Sequence, residues 1–540
     1  MAHHGSRGDR GIRRPALVIL CAALATAGCG QPTAIRSYPS VDGELIRTHH
    51  TRLDEAKADG VEPGSRGEQA AAQYLTGVFR DIGLTVETQP VGLTRVKPIS
   101  TSIKVGLRTL RPGDDFVAWT RRHETTVLAD APVVFMGYGI STPAQGWDDY
   151  KDVNVQGKLL LMLIGSPHNG KRNLLGALGA DWYGRRRYKF EEAHRRGAAG
   201  VLLIRVDDQL DEVPALSWDA LKNASTDILG VGTPENPTTH LAVEGWMTPE
   251  AAREILSDAT LDFDDVKRLA AETNFRAIDL SARAAIEIRN DVGRVTGTNV
   301  VATLKGTMPD YVLYSAQWND LPAGGFTGSD LTDDDPANEP PPGAPILLEV
   351  ARALARERAA HRTFVFLIVT AGSEGLLGLD YYLKHPVAPL PETRAAIHVA
   401  GFTEQTGESQ ISIIGAGYPG LKDLVHDQAA EQFRVGSGDV DAERLNFFRQ
   451  AETIYTDKGI PSVFLVSRHV ELAGAIATAA AAAPPRADMS VAVLDAQLVF
   501  HVGLAVATSN NWPKWTPTRA GATLDGPVTP GIKPLVGIRR

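Results

Sequence analysis

The sequence has very few cysteines, no basic excess and no long apolar run after its N-terminus. Cys21 and Cys29 are the two cysteines in 540 residues, so a disulfide framework or a cysteine-rich metal cluster is excluded. A formal net charge of −9 argues against nucleic-acid binding, which favours a basic face. No stretch beyond residue 28 reaches the roughly 18 apolar residues that a membrane-spanning helix needs.

The motifs that identify hydrolases from a single stretch are also missing. The sequence contains no HExxH helix, no cysteine–histidine cluster and no nucleophile elbow. What is present is an ordinary soluble composition, with 43% hydrophobic and 22% charged residues in a chain long enough for several domains. Any catalytic or binding site must therefore be assembled from dispersed residues.

The first 28 residues have the pattern of a bacterial lipoprotein signal peptide. Four arginines within residues 7–14 precede an apolar, alanine-rich stretch that is too short to span a bilayer, and residues 26–29, TAGC, resemble a lipobox. We expect cleavage before Cys29 and a lipid on Cys29, which would anchor the protein to a membrane on the extracytoplasmic side of the cell envelope. A plain secretory signal with an incidental Cys29 is the alternative.

Strands alternate with helices, which predicts an α/β fold with a mostly parallel sheet sandwiched by helices. Ser65 and Glu68 form a capping-box pattern before a helix that should end at Gly83. Further helices are predicted over 248–280, 344–355 and 490–507, the last of them amphipathic. Strands are predicted over 133–141, 157–165, 299–304, 312–316, 396–399, 411–414 and 462–466, with another beginning at Thr363.

The stretch 363–378, TFVFLIVTAGSEGLLG, is the centre of this pattern. Its first half is a continuous apolar run typical of a buried parallel strand, and its second half is a turn that enters a helix. Ligands of open α/β sheets bind in the crevice at the carboxyl ends of the strands. Residues 371–374 should therefore lie at the mouth of any active site.

This stretch resembles the motif T-A-E-E-x-G-L-L-G of the clan MH zinc aminopeptidases, the family of bacterial leucyl aminopeptidases, glutamate carboxypeptidase and the transferrin receptor. The first Glu of that motif is the general base and the second is a zinc ligand. Thr370, Ala371 and residues 375–378 keep the frame, whereas Gly372 and Ser373 occupy the two Glu positions. The resemblance extends over about 38–515 and implies the family's fold without its chemistry.

The other family positions are changed in the same way. Gln317 and Asn319 stand where the family has a His ligand and the Asp that orients it. Glu339 falls at the bridging Asp, Ala400 at a further Asp ligand, and the alanine-rich run 473–485 replaces the loop of the last His ligand. One of five ligand positions thus keeps a carboxylate. The resemblance implies two zinc ions for the family, and we expect no cofactor here.

Four side chains could nevertheless rebuild a metal site: Asp320, Glu339, Glu374 and His398. His398 precedes Ala400 by two residues on a predicted strand and should share its face. We interpret His398 as a buried, hydrogen-bonded histidine, with a place in the site as the alternative. Convergence of the four would favour a hydrolase with a non-standard site. A buried His398 and an empty cleft at Gly372 would favour binding.

The segment 133–204 resembles a protease-associated domain, most specifically over 146–158, and we interpret Trp147 to Tyr150 as a structural turn. We interpret Asp330 and 333–335 as a solvated acidic loop, because EF-hand spacing is missing, with a Ca²⁺ site as the alternative. The predicted organisation is a signal peptide 1–28, a linker 29–40, a first aminopeptidase-like segment 41–120, a protease-associated domain 121–247, a helical bridge 248–285, a second aminopeptidase-like segment 286–510 and an irregular tail 511–540.

The sequence thus predicts a lipid-anchored envelope protein with an aminopeptidase fold that is catalytically inactive and binds a peptide or protein in its cleft. The alternatives are an active metallo-aminopeptidase with a rebuilt site and a purely structural envelope lipoprotein.

Overall fold

The computed structural model describes residues 41–143, 146–169, 172–175, 183–184, 186–205, 218–219, 221–222, 230–232, 241–319, 342–357, 361–372, 376–402, 409–416, 419–437, 454–455, 458–469 and 489–509. The described helices are α1 (Gly43–Lys57), α2 (Arg66–Ile82), α3 (Arg186–Arg195), α4 (Pro249–Asp258), α5 (Phe263–Ala270), α6 (Ala344–Glu357), α7 (Leu377–Lys384), α8 (Pro419–Glu431) and α9 (Ser490–Thr508). The described strands are β1 (Thr85–Val105), β2 (Arg108–Thr109), β3 (Phe116–Trp119), β4 (Thr126–Phe135), β5 (Ser141–Thr142), β6 (Trp147–Asp148), β7 (Leu159–Leu163), β8 (His168–Asn169), β9 (Arg172–Asn173), β10 (Gly200–Ile204), β11 (Gly230–Gly232), β12 (Val243–Met247), β13 (Ile278–Leu304), β14 (Tyr311–Gln317), β15 (Thr363–Val369), β16 (Thr393–Gly401), β17 (Ser409–Ala416), β18 (Val435–Ser437) and β19 (Ser462–His469).

The region of the sheet that positions the candidate site is parallel. β14 lies between β15 and β16, and β16 continues to β19, all four strands running in the same direction. Antiparallel neighbours flank this block, β13 beside β15 and β17 beside β19. The carboxyl ends of four parallel strands therefore meet at one edge.

Helices cover both faces of the parallel block, as the α/β prediction requires. One core contains buried residues of α1, α2, α6, α8 and α9, including Phe79, Leu347 and Val502, packed on Tyr314 and Phe366. The opposite face carries a second core, formed with α7. The predicted fold class, an α/β fold with a large sheet flanked by helices, is confirmed.

A long two-stranded ribbon connects this block with a second lobe. β1 and β13 pair antiparallel along most of their length, and the first half of β13 also pairs with β4. β4, β7, β10, β12 and β3 continue the same sheet, with β4, β7, β10 and β12 parallel. The second lobe has cores of its own. Its resemblance to a protease-associated domain stays a prediction.

Several predicted elements differ from those observed. The strand predicted over 133–141 ends at Phe135, because Gly137 and Gly139 adopt φ of +62° and +64°, a left-handed conformation that favours glycine. The predicted helical bridge consists of α4 and α5, whose Ile255, Leu256 and Val266 are buried in the core of the second lobe. β13 runs through the predicted boundary at 285.

Helix α9 is a core helix rather than an amphipathic one. Among the described residues it is long and apolar enough to cross a membrane by length and composition, but most of it is buried in the core. Tyr314 fixes its position by donating a hydrogen bond from its hydroxyl to the Val499 carbonyl at 3.0 Å. Gly503 faces the same ring, and a Cβ at that position would overlap the tyrosine hydroxyl.

Candidate functional site

The candidate site lies where β14, β15 and β16 end. Gln317 pairs with Val369, and Ala316 pairs with Val399 on the other side, so the three strand ends are level. Side chains alternate between the two faces of a strand. Gln317 and Ala400 consequently share the face that is covered by α7, and His398 shares it too, as predicted from its spacing to Ala400.

The turn after β15 is held by its own backbone and contains strain. The amides of Leu376, Leu377 and Gly378 donate to the carbonyls of Gly372, Ala371 and Thr370 at 3.1–3.2 Å. Ala371 and Leu376 have φ of +47° and +58°, a region in which non-glycine residues typically pay about 1–3 kcal/mol. Strained backbone of this kind often clusters at functional sites.

A buried carboxylate that the sequence did not assign to the site fixes this turn. Thr370 donates its hydroxyl to Glu68, which also accepts from the Gly64 amide at 2.6 Å and from the amide of Thr298. Burial raises the pKa of Glu68, although these three hydrogen bonds favour its ionised form. The close approach is possible because Gly297 carries no side chain toward Thr370.

Asn299 completes the support of the turn. Its Oδ1 accepts from the Thr370 amide at 3.0 Å, and its Nδ2 donates to the Gly378 carbonyl at 2.8 Å and to Gln89 Oε1 at 3.0 Å. The Ser65 half of the predicted capping box is confirmed, because Ser65 Oγ accepts from the Glu68 amide at 3.1 Å. The Glu68 carboxylate instead reaches Thr370, a contact between residues 302 positions apart that local sequence cannot indicate.

Gly372 and Gln317, the general-base position and the first His position of the family, pack directly on each other. Both are buried, and a Cβ built on Gly372 would lie 2.7 Å from Gln317 Oε1 and 2.8 Å from Gln317 Cβ. An empty cleft at Gly372, which would have favoured binding, is not seen among the described residues, because the Gln317 side chain fills the space beside Gly372.

Two side-chain oxygens at and just beyond the end of β14 lack partners among the described residues. Gln317 and Asn319 are 2% and 4% exposed, and neither Gln317 Oε1 nor Asn319 Oδ1 accepts a hydrogen bond within that part of the chain. Trp318 between them points to the opposite core. Unpaired buried polar atoms are uncommon in folded proteins and call for an explanation.

His398 is a buried, hydrogen-bonded histidine. Its Nδ1 is 2.8 Å from Ser315 Oγ, which is 2.7 Å from the Tyr455 hydroxyl, and its ring lies 4.9 Å from the Phe464 ring. Burial lowers the pKa of His398 to about 3, so the ring is neutral at physiological pH. Its Nε2 has no hydrogen-bond partner in the part of the chain that the structure describes. The interpretation of His398 as a buried, hydrogen-bonded histidine is confirmed.

Several predicted site residues lie outside the described residues. These are Cys29, Asp320, Glu339, Ser373, Glu374 and the acidic loop of Asp330 and 333–335. The alanine-rich run 473–485 lies outside as well.

The described portion of the site does not fit a pair of zinc ions. Within the described residues there is no group of three or more His, Cys, Asp or Glu side chains that could hold a metal ion. Gly372 and Ala400 offer no ligand atom, and the amide oxygen of Gln317 is a poor zinc ligand beside an imidazole. His398 is a single potential donor, and no group of three ligand side chains forms around it among the described residues.

In the second lobe, the structural turn predicted for Trp147 to Tyr150 is confirmed. Trp147, Asp149 and Tyr150 are buried, and Asp149 accepts from the Trp147 indole and from the Ile140 amide, both at 3.0 Å. Burial raises the pKa of Asp149 to about 7. These contacts give the carboxylate a structural role.

The comparison with protein families matches one segment of the chain. The model of peptidase family M28 matches residues 299–489, a little over a third of the chain. The matched segment begins at Asn299 and includes β14, β15, β16 and β19. The candidate site falls within this segment, apart from Glu68 and the β1 side of the ribbon.

Similar solved structures include an aminopeptidase from Aneurinibacillus sp. strain AM-1 (16% identity, 88% of this chain and 95% of that chain, TM-score 0.47). A zinc aminopeptidase from Bacillus subtilis is 15% identical over 87% of this chain and 94% of that chain, with a TM-score of 0.45. A peptidase M28 precursor from Shewanella amazonensis is 15% identical over 88% and 97%, with a TM-score of 0.42. Residues 299–489 thus match peptidase family M28 within an α/β fold.

Proposed function

We propose that this protein is an inactive relative of the M28 peptidases that binds a peptide or protein ligand at the cell envelope. The packing of Gly372 against Gln317 carries the proposal. Glycine cannot accept the proton of an attacking water, and Gln317 occupies the space into which a side chain at 372 would project. The general-base position therefore has no group that could accept a proton, and the Gln317 side chain occupies the space where such a group would lie.

The supporting frame of the site is kept although the catalytic groups are not. Glu68, Asn299 and Thr370 hold the strand-end turn, and Ala371 retains a left-handed conformation. Strain of this kind persists when the surrounding structure enforces it. A strand-end turn that is held in a strained conformation but carries no catalytic groups suits recognition better than hydrolysis.

The envelope location remains within the proposal and depends on the lipobox at Cys29. The active alternative depends on Asp320, Glu339 and Glu374, which lie outside the described residues, together with His398. The described residues do not favour it, because they contain no group of three or more His, Cys, Asp or Glu side chains around His398 that could hold a metal ion.

Hydrolysis of an amino-acid 4-nitroanilide by the full chain, with zinc added, tests the proposal. We expect a rate equal to that of the heat-unfolded protein. Zinc-dependent turnover that disappears in Glu339→Gln would overturn the proposal and establish the rebuilt site.

A further inference from the structure

Glu68 connects three separate segments of the chain through one buried carboxyl group. It is 2% exposed, and it accepts hydrogen bonds from the Thr370 hydroxyl and from the amides of Gly64 and Thr298. The donors lie just before α2, on β13 and immediately after β15. The position of the strand-end turn therefore depends on one ionisable group.

The surroundings of this carboxyl group contain no cation among the described residues. They are formed by Thr298 and by apolar side chains of α2, β13 and β15 and of the residue after β14, namely Ala72, Leu75, Val300, Ile368 and Trp318. The interactions that act on Glu68 are burial and its three hydrogen bonds, with no charged neighbour. A buried carboxylate without an opposite charge is unfavourable, and hydrogen bonds offset this only in part.

Protonation relieves this cost without breaking the contacts. A protonated carboxyl group keeps acceptor capacity for the two amides and can donate its own proton to Thr370, whose hydroxyl acts as donor or acceptor. The neutral form of Glu68 thus holds the same three segments without burying a charge.

The turn that Glu68 holds needs this support, because its backbone is strained. Ala371 and Leu376 adopt left-handed conformations, which are unfavourable for residues other than glycine. The other described hydrogen bonds of the turn, from Asn299 and within its own backbone, involve neutral groups that do not change with pH. When the Glu68 contact weakens, the strained turn can lift and water can reach the carboxylate.

We propose that the ionisation of Glu68 controls the strand-end turn, which is held more firmly when the carboxyl group is protonated than when it is ionised. Burial raises the pKa of Glu68 above its ordinary value of 4.5 while the turn is held. A raised pKa contributes stability that is complete below the ordinary value and is lost as the pH rises through the raised one. The inference adds a form of regulation to the proposed binding site, and only that consequence rests on the proposed function.

Amide hydrogen exchange of the full chain between pH 4.5 and 8, corrected for the intrinsic pH dependence of exchange, tests the proposal. The amides of Thr370, Leu377 and Gly378 report the turn, and those of β15, which lies between β13 and β14, report the stable core. We expect protection of the turn relative to β15 to fall as the pH rises, by up to about tenfold per pH unit, and then to become constant. A relative protection that is constant or rises throughout would overturn the proposal.

Glu68→Gln removes the ionisable group and keeps the length of the side chain. The relative protection of the turn should then be independent of pH, and lower than in the parent protein at pH 4.5 because one of the two amides loses its acceptor. Glu55→Gln, at an exposed position of α1, is the matched control and should behave as the parent does. A Glu68→Gln protein with the pH dependence of the parent would overturn the proposal.

A second variant keeps the carboxyl group and removes one of its donors, so it also serves if Glu68→Gln does not fold. Thr370→Val is close to isosteric and lacks the hydroxyl that favours the ionised form of Glu68. The pH range in which the turn loses protection should move upward, a shift that general destabilisation does not produce. An unchanged pH range would contradict the role of the contact between Thr370 and Glu68.

The failure of this inference is distinguishable from failure of the proposed function, because hydrogen exchange reports the turn without any ligand. Zinc-dependent hydrolysis would overturn the proposed function whatever the exchange measurements show. A turn whose relative protection does not depend on pH, in an inert protein, would refute the role of Glu68 alone.

Discussion

At the scale of single residues, Gly372 decides what the strand-end turn can do. Its neighbour Gln317 occupies the space that a side chain at 372 would need, and both residues are buried. A side chain at position 372 and the present position of Gln317 therefore exclude each other. Adding a side chain at 372 while Gln317 stays in place should be unfavourable.

Gly372→Ala should destabilise the protein by about 1–3 kcal/mol, because overpacking forces buried atoms off their preferred positions. The added Cβ would lie 2.7 Å from Gln317 Oε1 and 2.8 Å from Gln317 Cβ. The midpoint of urea unfolding measures the effect. Gly92→Ala is the control, because no heavy atom lies within 4 Å of a Cβ there. Equal stabilities of the two variants would show that Gln317 moves aside freely.

Glu349 makes a second residue-scale contribution, through pH. Burial would raise the pKa of Glu349, but hydrogen bonds from His49, Arg352 and the Asp42 amide outweigh it and lower the pKa from 4.5 to about 2. A depressed pKa contributes stability above the unfolded pKa that is lost as pH falls through the folded one. The contribution should be complete above about pH 5 and disappear toward pH 2.

Glu349→Gln should therefore lower the free energy of unfolding at pH 7 by up to roughly 3 kcal/mol, since one pKa unit corresponds to about 1.4 kcal/mol. The difference from the parent protein should shrink steadily below pH 4.5. Denaturant titrations between pH 2.5 and 7 measure it. Glu55→Gln, on the exposed face of α1, should show little change at any pH. A deficit that is constant with pH would mean that packing, not charge, is responsible.

At the scale of elements, the packing of α9 on the sheet depends on a gap at Gly503 that accommodates the Tyr314 side chain. The ring of Tyr314 is stacked on Phe366 with centroids 5.2 Å apart, and its hydroxyl donates to the Val499 carbonyl. Gly503 lies against this hydroxyl, so the helix and the sheet approach closely at this point. Stacking leaves the tyrosine little freedom to move aside.

Gly503→Ala should destabilise the protein by about 2 kcal/mol or more, since the new methyl group overlaps the Tyr314 hydroxyl. Gly77→Ala is the matched control in α2, because a Cβ there meets no atom within 4 Å. It should stabilise by up to about 1 kcal/mol through helix propensity. Thermal unfolding compares the pair, and a Gly503→Ala protein as stable as Gly77→Ala would contradict the close packing.

Element-scale features also show what sequence can and cannot predict. The runs that became β14, β15 and β16 were predicted within a few residues, because buried parallel strands have continuous apolar sequences. β13 was predicted only from Asn299, although it begins at Ile278. Its earlier half is exposed on one face, so it lacks the apolar continuity that the prediction used.

The candidate site was predictable where a family motif marks it and not where distant residues meet. The family motifs around Gln317, Gly372 and Ala400 predict that these residues lie at one edge of the sheet. The structure brings them to neighbouring strand ends. Glu68 and Asn299 were not assigned to it, because their contacts with Thr370 depend on tertiary packing. The sequence predicts which face of the sheet His398 lies on. It does not predict how deeply the ring is buried, because that depends on its contacts with Ser315 and Phe464.

At the scale of the whole molecule, the ribbon of β1 and β13 connects the site with the second lobe. Val91 and Leu93 of β1 pack on Ala371, next to Leu377 and Tyr381. The first half of β13 enters the core of the second lobe through Ala284, Ile286 and Ile288. The ribbon therefore supports the strand-end turn and belongs to both regions of the sheet.

The zinc content of the purified full chain tests the central claim most directly. The protein is loaded with excess zinc, dialysed extensively and measured by mass spectrometry, with a zinc aminopeptidase treated in parallel. We predict close to zero zinc per chain, because the two described positions that match the family's ligands carry Gln317 and Ala400 in place of metal-binding side chains. One or two tightly held zinc ions per chain would contradict this result and show that residues elsewhere complete a functional metal site.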